Sequence, residues 1–393
     1  MNQNRTAFLL RCAPLPVVRM GFIGLGHRGR KTVERYTDIE GAEICCLADL
    51  SPEAVEQANQ QLALSGRHLA RTFDGPEAWR EVCRQPDIDI IYICTDWSTH
   101  ADIAIEAMRH GKHVAVEVPL ATTVEDCWRV VRTAEETQRH CFMTENCCYD
   151  WFHLATLSLV ESGRLGTVTH CDGAYIHDWR HLFGDGNFYE QSVRCGGNPY
   201  PTHAVGPIAQ ILGFHRKDRI VRLTAMTGNA MGHDSLLGHT NTALISTERG
   251  VTIMLQFDGT TPRPYSRMQS VCGTEGFVQK YPVAMVQTEE GLLTGEQAEE
   301  LMQRQLSTAA ASDGPKSAAR AWRDGHTLGV ENEMNYAMDR RLIHCLQKGL
   351  PLDIDVYDAA EWSCLTELTR LSAERGGAPV DIPDFMGPHD ESR

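Results

Sequence analysis

The stretch Val17-Val18-Arg19-Met20-Gly21-Phe22-Ile23-Gly24-Leu25-Gly26-His27-Arg28-Gly29 decides the fold. A mostly apolar run ends in G-x-G-x-x-G and then takes on a helical pattern. Each glycine has its own physical reason. Gly24 permits the tight strand-to-helix turn, Gly26 lets backbone approach a pyrophosphate, and Gly29 lets helix and strand pack closely. The helix that follows presents free N–H groups and a positive dipole end to phosphates. Asp49 stands twenty residues past Gly29, at the end of a second mostly apolar run. An acid there accepts hydrogen bonds from an adenosine ribose and repels a 2′-phosphate, which favours NAD over NADP.

Outward from this core the pattern alternates. Strands are expected at 17–24, 42–48, 88–95, 113–117 and 141–146. Helices are expected at 28–37, 52–64 (capped by Ser51), 99–109 and 124–139. Such alternation predicts a doubly wound parallel sheet, a Rossmann dinucleotide-binding domain over 1–145. Beyond Asn146 strands follow one another, at 167–176, 220–226, 241–247, 251–257 and 268–278, with helices at 333–348 and 357–375. This predicts an α+β domain over 146–393 with a mostly antiparallel open sheet, whose last helix is expected to pack back on the first domain. The segment 294–325, rich in Ala, Ser, Gln and charge, reads as a partly helical surface excursion.

Ligands of doubly wound sheets lie outside the carboxyl ends of the strands. The residues expected to face the cofactor are therefore Gly24 to Gly29, Asp49, Asp96-Trp97-Ser98-Thr99-His100, Glu117-Val118-Pro119 and Glu145-Asn146. For Ser98 and Thr99 a plain helix cap is the alternative, and for Trp97 packing.

Composition narrows the partners. The chain has 393 residues, 37 basic and 52 acidic, for a formal charge of −15. That balance disfavours nucleic acid and anionic membrane surfaces. No apolar run nears the ~18 residues that span a bilayer. The start of the chain lacks a secretion-signal pattern. The 14 cysteines, many within apolar runs, read as reduced core thiols, so a cytoplasmic setting is expected.

Five further motifs stand in the second domain: Thr144-Glu145-Asn146-Cys147-Cys148-Tyr149, Gly173-Ala174-Tyr175-Ile176-His177-Asp178, Tyr200-Pro201-Thr202-His203, Pro262-Arg263-Pro264-Tyr265-Ser266-Arg267, and Asp355-Val356-Tyr357-Asp358-Ala359-Ala360-Glu361-Trp362-Ser363. With the N-terminal domain, they resemble glycoside hydrolase family 109, the NAD-dependent α-N-acetylgalactosaminidases. That family lies within the glucose–fructose oxidoreductase and inositol dehydrogenase superfamily. The likeness runs from about Val17 to Pro388. Superfamily dehydrogenases usually carry Glu-Lys-Pro where this chain has Glu117-Val118-Pro119, and valine has no proton to move.

The resemblance implies a bound NAD that is used and regenerated in each turnover. The sugar C3 hydroxyl is oxidised, a base removes the acidified C2 proton, the glycosidic oxygen leaves, water adds at C1, and C3 is reduced again. This departs from the two-carboxylate scheme of most glycosidases. By motif, the implied cofactor contacts are Gly24, Gly26, His27, Arg28, Gly29, Asp49, Trp97, Ser98, Thr99, His100, Glu117, Val118 and Asn146. The implied sugar contacts are Tyr175, Arg180, Tyr200, Pro201, Thr202, His203 and Tyr265. His203, with an ordinary pKa of about 6.5, is the first candidate for proton transfer; the plain alternative is a helix-start hydrogen bond. Tyr175 or Tyr265 serves as the second acid–base only beside positive charge, and otherwise stacks or donates. The family's arginine-rich stretch has its counterpart in Gly186-Asn187-Phe188-Tyr189-Glu190-Gln191, which lacks arginine, so Arg180 or Arg194 is expected to substitute. The segment 227–239 is shorter than the family's loop.

His177, Asp178 and His181 have a metal-like spacing, but His177 ends a strand and no metal is expected. Asp353, Asp355 and Asp358 read as caps of the last helix. The competing functions are a sugar or polyol dehydrogenase that releases NADH, and a non-catalytic NAD-binding regulator. A carbohydrate or glycoconjugate substrate and a homo-oligomer complete the implied partners.

Overall fold

The computed structural model describes residues 6–182, 187–230, 232, 237–312 and 317–387. The chain divides into two compact units, residues 1–144 with 335–360, and residues 145–334 with 361–393. The boundary in the middle of the chain lies next to the expected 145. The first unit also takes in 335–360, which the strand and helix pattern places in the second.

In the first unit β1 (Val18–Ile23), β2 (Ala42–Asp49), β3 (Arg71–Asp74), β4 (Ile90–Ile93), β5 (His113–Val116) and β6 (Cys141–Met143) form a sheet in the order β3-β2-β1-β4-β5-β6. Every pairing in it is parallel. The strand order reverses beside β1, the switch point where such folds bind dinucleotides. The central strands are apolar and buried on both faces, as parallel strands under crossover helices must be. Helix Pro52–Leu64 begins where expected, with the Ser51 hydroxyl accepting from Ala54 N at 3.3 Å.

Three local expectations needed correction. Strand β3 and helix Ala78–Cys83 have no counterpart in the expected pattern: β3 is short and mostly exposed, so it shows no apolar run. Helix Trp97–Arg109 starts two residues earlier than expected, with Asp96 at its cap, so Ser98 and Thr99 lie inside the helix and cap nothing.

In the second unit β7 (Val168–Ile176), β8 (Ile220–Gly228), β9 (Thr240–Thr247), β10 (Thr252–Asp258), β11 (Ser270–Gly273), β12 (Phe277–Gln279), β13 (Met285–Thr288), β14 (Gly291–Thr294) and β15 (Val380–Asp381) form one sheet. Its order is β14-β13-β12-β11-β7-β10-β9-β8-β15. All neighbours run antiparallel except β7 and β10. Along β9 buried Asn241, Ala243, Ile245 and Thr247 alternate with more open residues, so one face packs and the other is bare.

The expected single strand 268–278 is a hairpin. Gly273 N donates to Gly276 O at 2.8 Å across a Thr274-Glu275 turn, which splits the run into β11 and β12. The segment 294–325 is no surface excursion. It forms helices Glu296–Ser312 and Ala318–Leu328, which bury Ala298, Leu301, Met302, Leu306, Ala310 and Trp322. Its apolar residues are sparse but fall at helical spacing, a signal masked by the polar residues between them. Helices Trp151–Glu161, Asn187–Cys195 and Thr202–Leu212 are likewise additions to the expected pattern.

Candidate active site

The dinucleotide side belongs to the first unit. Gly24 has φ +90°, and a side chain there would meet the Cys94 carbonyl at 2.5 Å. A Cβ on Gly29 would collide with Gly24 O, so this glycine is what lets the helix sit on the turn. Gly26 differs: it caps helix His27–Tyr36, no side chain covers that end, and a Cβ there would meet nothing within 4 Å. The open, uncapped helix end fits a pyrophosphate. His27, Ser98 and Thr99 are exposed, and Trp97 is buried.

Asp49 closes the loop from below. Its carboxylate accepts from Leu25 N at 2.6 Å and from Ser51 N at 2.9 Å, so it is aimed at the glycine turn with lone pairs left for a ribose. Glu117 is held by Arg28 Nε at 2.9 Å and by the buried Tyr92 hydroxyl at 3.3 Å. Val118 is buried beside it and joined to Pro119 by a cis peptide. His100 is not solvent-facing. Its Nδ1 lies 2.8 Å from Pro119 O and its Nε2 3.0 Å from Thr95 O, so the ring ties together the two turns that follow β4 and β5.

Of the residues expected to contact a sugar, those of the second unit gather around His203. Pro201 caps helix Thr202–Leu212, and His203 lies in its first turn. The imidazole does not serve the helix end: Nδ1 pairs with the Glu145 carboxylate at 2.8 Å. Glu145 is fully buried, and it also accepts from Cys147 N at 3.0 Å. Gly206, one helical turn past His203, makes this approach feasible: a Cβ there would lie 3.1 Å from Glu145 Cγ and 3.1 Å from Cys148 Sγ.

Two tyrosines flank the imidazole and a third stands beside them. The Tyr200 ring is 4.7 Å and the Tyr175 ring 5.2 Å from that of His203, both edge-on, and Tyr265 stands 6.4 Å from Tyr175. Tyr175 shares a hydrogen bond with His177 Nδ1 at 3.0 Å. Behind the ring lies a cavity lined by His203, Arg267, Gln269, Asp172 and the helix residues Pro207 and Ile208.

The electrostatics revise the expected roles. Burial opposes a charged His203, but the Cys147 side chain and the Glu145 carboxylate outweigh it and raise the imidazole to about 10. Burial pushes Glu145 up as well, yet His203 holds it below its usual range. The pair is therefore a carboxylate and an imidazolium at neutral pH, not the near-neutral base that an ordinary histidine pKa suggests. Burial lifts Tyr175, with Arg267 opposing. Tyr265 is also raised, although 44% of its surface is exposed: desolvation of its hydroxyl outweighs Arg267.

A buried arginine near these tyrosines is Arg267. Arg180 is exposed and paired with Asp178 at 2.7 Å, and Arg194 is exposed. Arg267 is 3% exposed and bonds Asp150 at 2.8 Å, while its Nε and Nη1 have no partner. Lys280 joins the same Asp150 oxygen at 2.5 Å. Arg267 closes one of the second-domain motifs, but a buried guanidinium with idle donors leaves no mark on a sequence. The same holds for the site positions of Cys147, His177 and Asp150. His177, Asp178 and His181 form no metal-type group among the described residues; Glu145, Cys147 and His203 do. Gly186, and residues 231 and 233–236 of the short loop, lie outside the described residues.

A sheet that binds dinucleotides, joined to a unit carrying an imidazole–carboxylate pair within a tyrosine wall, defines an enzyme of the oxidoreductase fold adapted to carbohydrate chemistry. Comparison with known proteins narrows the class. The family described as oxidoreductase family, NAD-binding Rossmann fold, matches residues 18–145, and the one described as glycosyl hydrolase 109, C-terminal domain, matches 149–389. A glycosyl hydrolase family 109 protein 2 of Phocaeicola vulgatus is 48% identical, covering 96% of each chain. An alpha-N-acetylgalactosaminidase of Bacteroides fragilis is 46% identical over 95% of this chain and 92% of its own. Among solved structures, levoglucosan dehydrogenase in complex with NADH and levoglucosan superposes with a TM-score of 0.72 at 18% identity, covering 93% of this chain and 99% of its own, a likeness of fold. The chain belongs to glycosyl hydrolase family 109. Among the described residues, no helix is long and apolar enough to cross a membrane.

Proposed function

We propose that the chain removes terminal α-linked N-acetylgalactosamine, or a related hexosamine, with NAD as a resident cofactor. The observation that carries this reading is the buried Glu145–His203 pair at 2.8 Å inside the tyrosine wall. A dehydrogenase that only moves a hydride has little use for an imidazolium held ready as an acid beside its sugar. The relative named alpha-N-acetylgalactosaminidase supplies the sugar, and Val118 supports the same conclusion because it leaves the Glu-Val-Pro turn without a lysine to move a proton.

The open end of helix His27–Tyr36, with Gly24, Gly26 and Gly29, would hold the pyrophosphate, and Asp49 the adenosine ribose. Arg28, Trp97, His100, Glu117, Val118 and Asn146 line or brace the remaining contacts. When bound, NAD would accept a hydride from sugar C3 and later return it. His203, charged and anchored through Nδ1, holds a proton at Nε2 for the departing glycosidic oxygen. Glu145 fixes the ring and keeps it charged. Tyr175 and Tyr265 are the candidates to take the C2 proton, and Arg267 is the positive charge that favours their phenolates. Tyr200 and the pyranose ring face each other as apolar surfaces.

Turnover in deuterated water tests the scheme. The released sugar is expected to carry deuterium at C2, and unlabelled C2 would exclude elimination. Steady NADH release without glycoside cleavage would instead establish a plain dehydrogenase. The bare face of the second sheet, with Met226 and Leu244 exposed, supports self-association, which light scattering tests.

A further inference from the structure

Glu145, Cys147 and His203 offer three ligand atoms, a carboxylate oxygen, a thiol sulfur and an imidazole nitrogen, that all lie within 4.8 Å of one another. The tight 2.8 Å contact between His203 and Glu145 forms one edge of the group. A tetrahedral zinc centre has N···O edges of roughly 3.3 Å and N···S edges of roughly 3.5 Å, so a cation fits after the His203–Glu145 edge opens by about half an ångström.

Local structure fixes all three donors. Glu145 and Cys147 belong to one short turn, in which Cys147 N donates to the Glu145 carboxylate. His203 is brought in by the helix that Gly206 lets approach. The thiol selects the class of ion: Mg2+ and Ca2+ take oxygen, whereas a Cys–His–carboxylate set suits Zn2+ or Co2+.

We propose that these three residues form a transition-metal site of the zinc class, and that its occupation shuts the active site. The inhibitory half rests on the function proposed above; the binding half does not. Coordination requires a thiolate and a neutral imidazole, so metal entry releases protons from the donor set. The dication is then balanced by one thiolate and one carboxylate. This neutrality lets the cation sit near the buried Arg267 guanidinium, which would oppose an uncompensated charge. The metal would take the place of the Nδ1 proton between His203 and Glu145; the ring, still carrying Nε2–H, is then no longer an imidazolium, so a loaded site has no acid strong enough for the leaving group. The fourth coordination position is open to water.

Cobalt titration of the 393-residue protein provides the test. One equivalent of Co2+ is expected to give an intense thiolate-to-cobalt absorption band, which Zn2+ abolishes by displacement. In Cys147→Ser the band is lost and affinity falls by about 100-fold or more. Circular dichroism shows whether the variant is folded. In the unsubstituted protein, Zn2+ is expected to stop glycoside cleavage and a chelator to restore it, which needs no variant. A band that persists in folded Cys147→Ser, or no band at all, overturns the site. A band with cleavage unaffected by saturating Zn2+ overturns the inhibitory half. If no glycoside is cleaved by the metal-free protein, the cobalt spectrum still decides the binding.

Discussion

Glu145→Gln removes one of the two groups that raise His203. Glutamine keeps the shape and a carbonyl that can accept from Nδ1, but removes the negative charge. His203 sits at about 10 because Cys147 and Glu145 overcome its burial. Without the carboxylate, its pKa is expected to fall by roughly two to three units, as for a charge partner lost at hydrogen-bond distance. At pH 9 the protonated fraction then drops from nearly all to about one part in ten or fewer. Glycoside cleavage at pH 9 should fall tenfold or more, while the rate at pH 6.5 stays within a few-fold of the parent. The alkaline limb of the pH–rate profile moves down with the imidazole. Stability follows with a defined sign. A folded-state pKa raised above the unfolded one stabilises fully below pH ~6.5, and that contribution is lost as pH rises towards 10. Breaking the pair therefore costs about 3 kcal/mol at neutral pH and little above pH 10. The assay is the pH–rate profile for release of N-acetylgalactosamine from an α-nitrophenyl glycoside, paired with NMR titration of the His203 ring. If the variant keeps the parent's alkaline limb, and His203 still titrates near 10, Glu145 does not hold the proton and the reasoning fails.

Gly206→Ala places a methyl 3.1 Å from Glu145 Cγ and from Cys148 Sγ; it should cost about 1–3 kcal/mol of stability by overpacking and lower the rate, and an unchanged melting temperature and rate would refute the close-approach argument. Asp49→Asn should weaken NAD roughly 10- to 100-fold, the worth of a charge-assisted hydrogen bond; fluorescence titration checks this, and unaltered affinity would remove Asp49 from the ribose. The buried His113 and His140, their rings tilted with centroids 4.9 Å apart, are pulled by burial to about 3 and about 4. Depressed histidines stabilise the fold above pH ~6.5 and lose that contribution as pH falls, so about 2 kcal/mol per ring should disappear by pH 5. Urea midpoints at pH 7 and pH 5 measure it, and equal midpoints would contradict it.

The first unit was legible because its signals are local. Buried parallel strands read as apolar runs, and Gly24 and Gly29 of the turn are imposed by contacts with Cys94 and with each other. Strand β3 escaped because it is short and mostly exposed. In the second unit the motifs marked where the chemistry lies, but the roles depend on long-range contacts. Glu145 and His203 are 58 positions apart, and Arg267 meets Asp150 across 117. No spacing rule encodes the proximity of Cys147 or the balance of burial and neighbouring groups that sets the ionisation of His203 and Glu145. Hence the motifs single out His203 as a site candidate, while its ordinary pKa points to the wrong charge state.

That charge state shapes the catalytic cycle. An imidazolium near 10 is a weak acid, so it releases its proton only to a strongly basic oxygen, which an expelled glycosidic alkoxide is. The neutral imidazole left behind, still facing the Glu145 carboxylate, is a stronger base than an ordinary histidine. It can draw a proton from the water that adds at C1, and one proton then cycles through His203 while Glu145 stays charged throughout. The base for C2 must be a different group, because His203 is still protonated when that proton leaves. Tyr175 and Tyr265 are the residues of the wall proposed to take it, and Arg267, with two idle donors, is a positive charge that works against the burial of their hydroxyls. Tyr265→Phe or Tyr175→Phe should therefore abolish C2 deuterium incorporation, whereas His203→Gln should still exchange C2 of a 3-keto sugar without releasing the aglycone. Loss of that exchange in His203→Gln with NAD still bound would assign both proton transfers to the histidine and dissolve the division of labour.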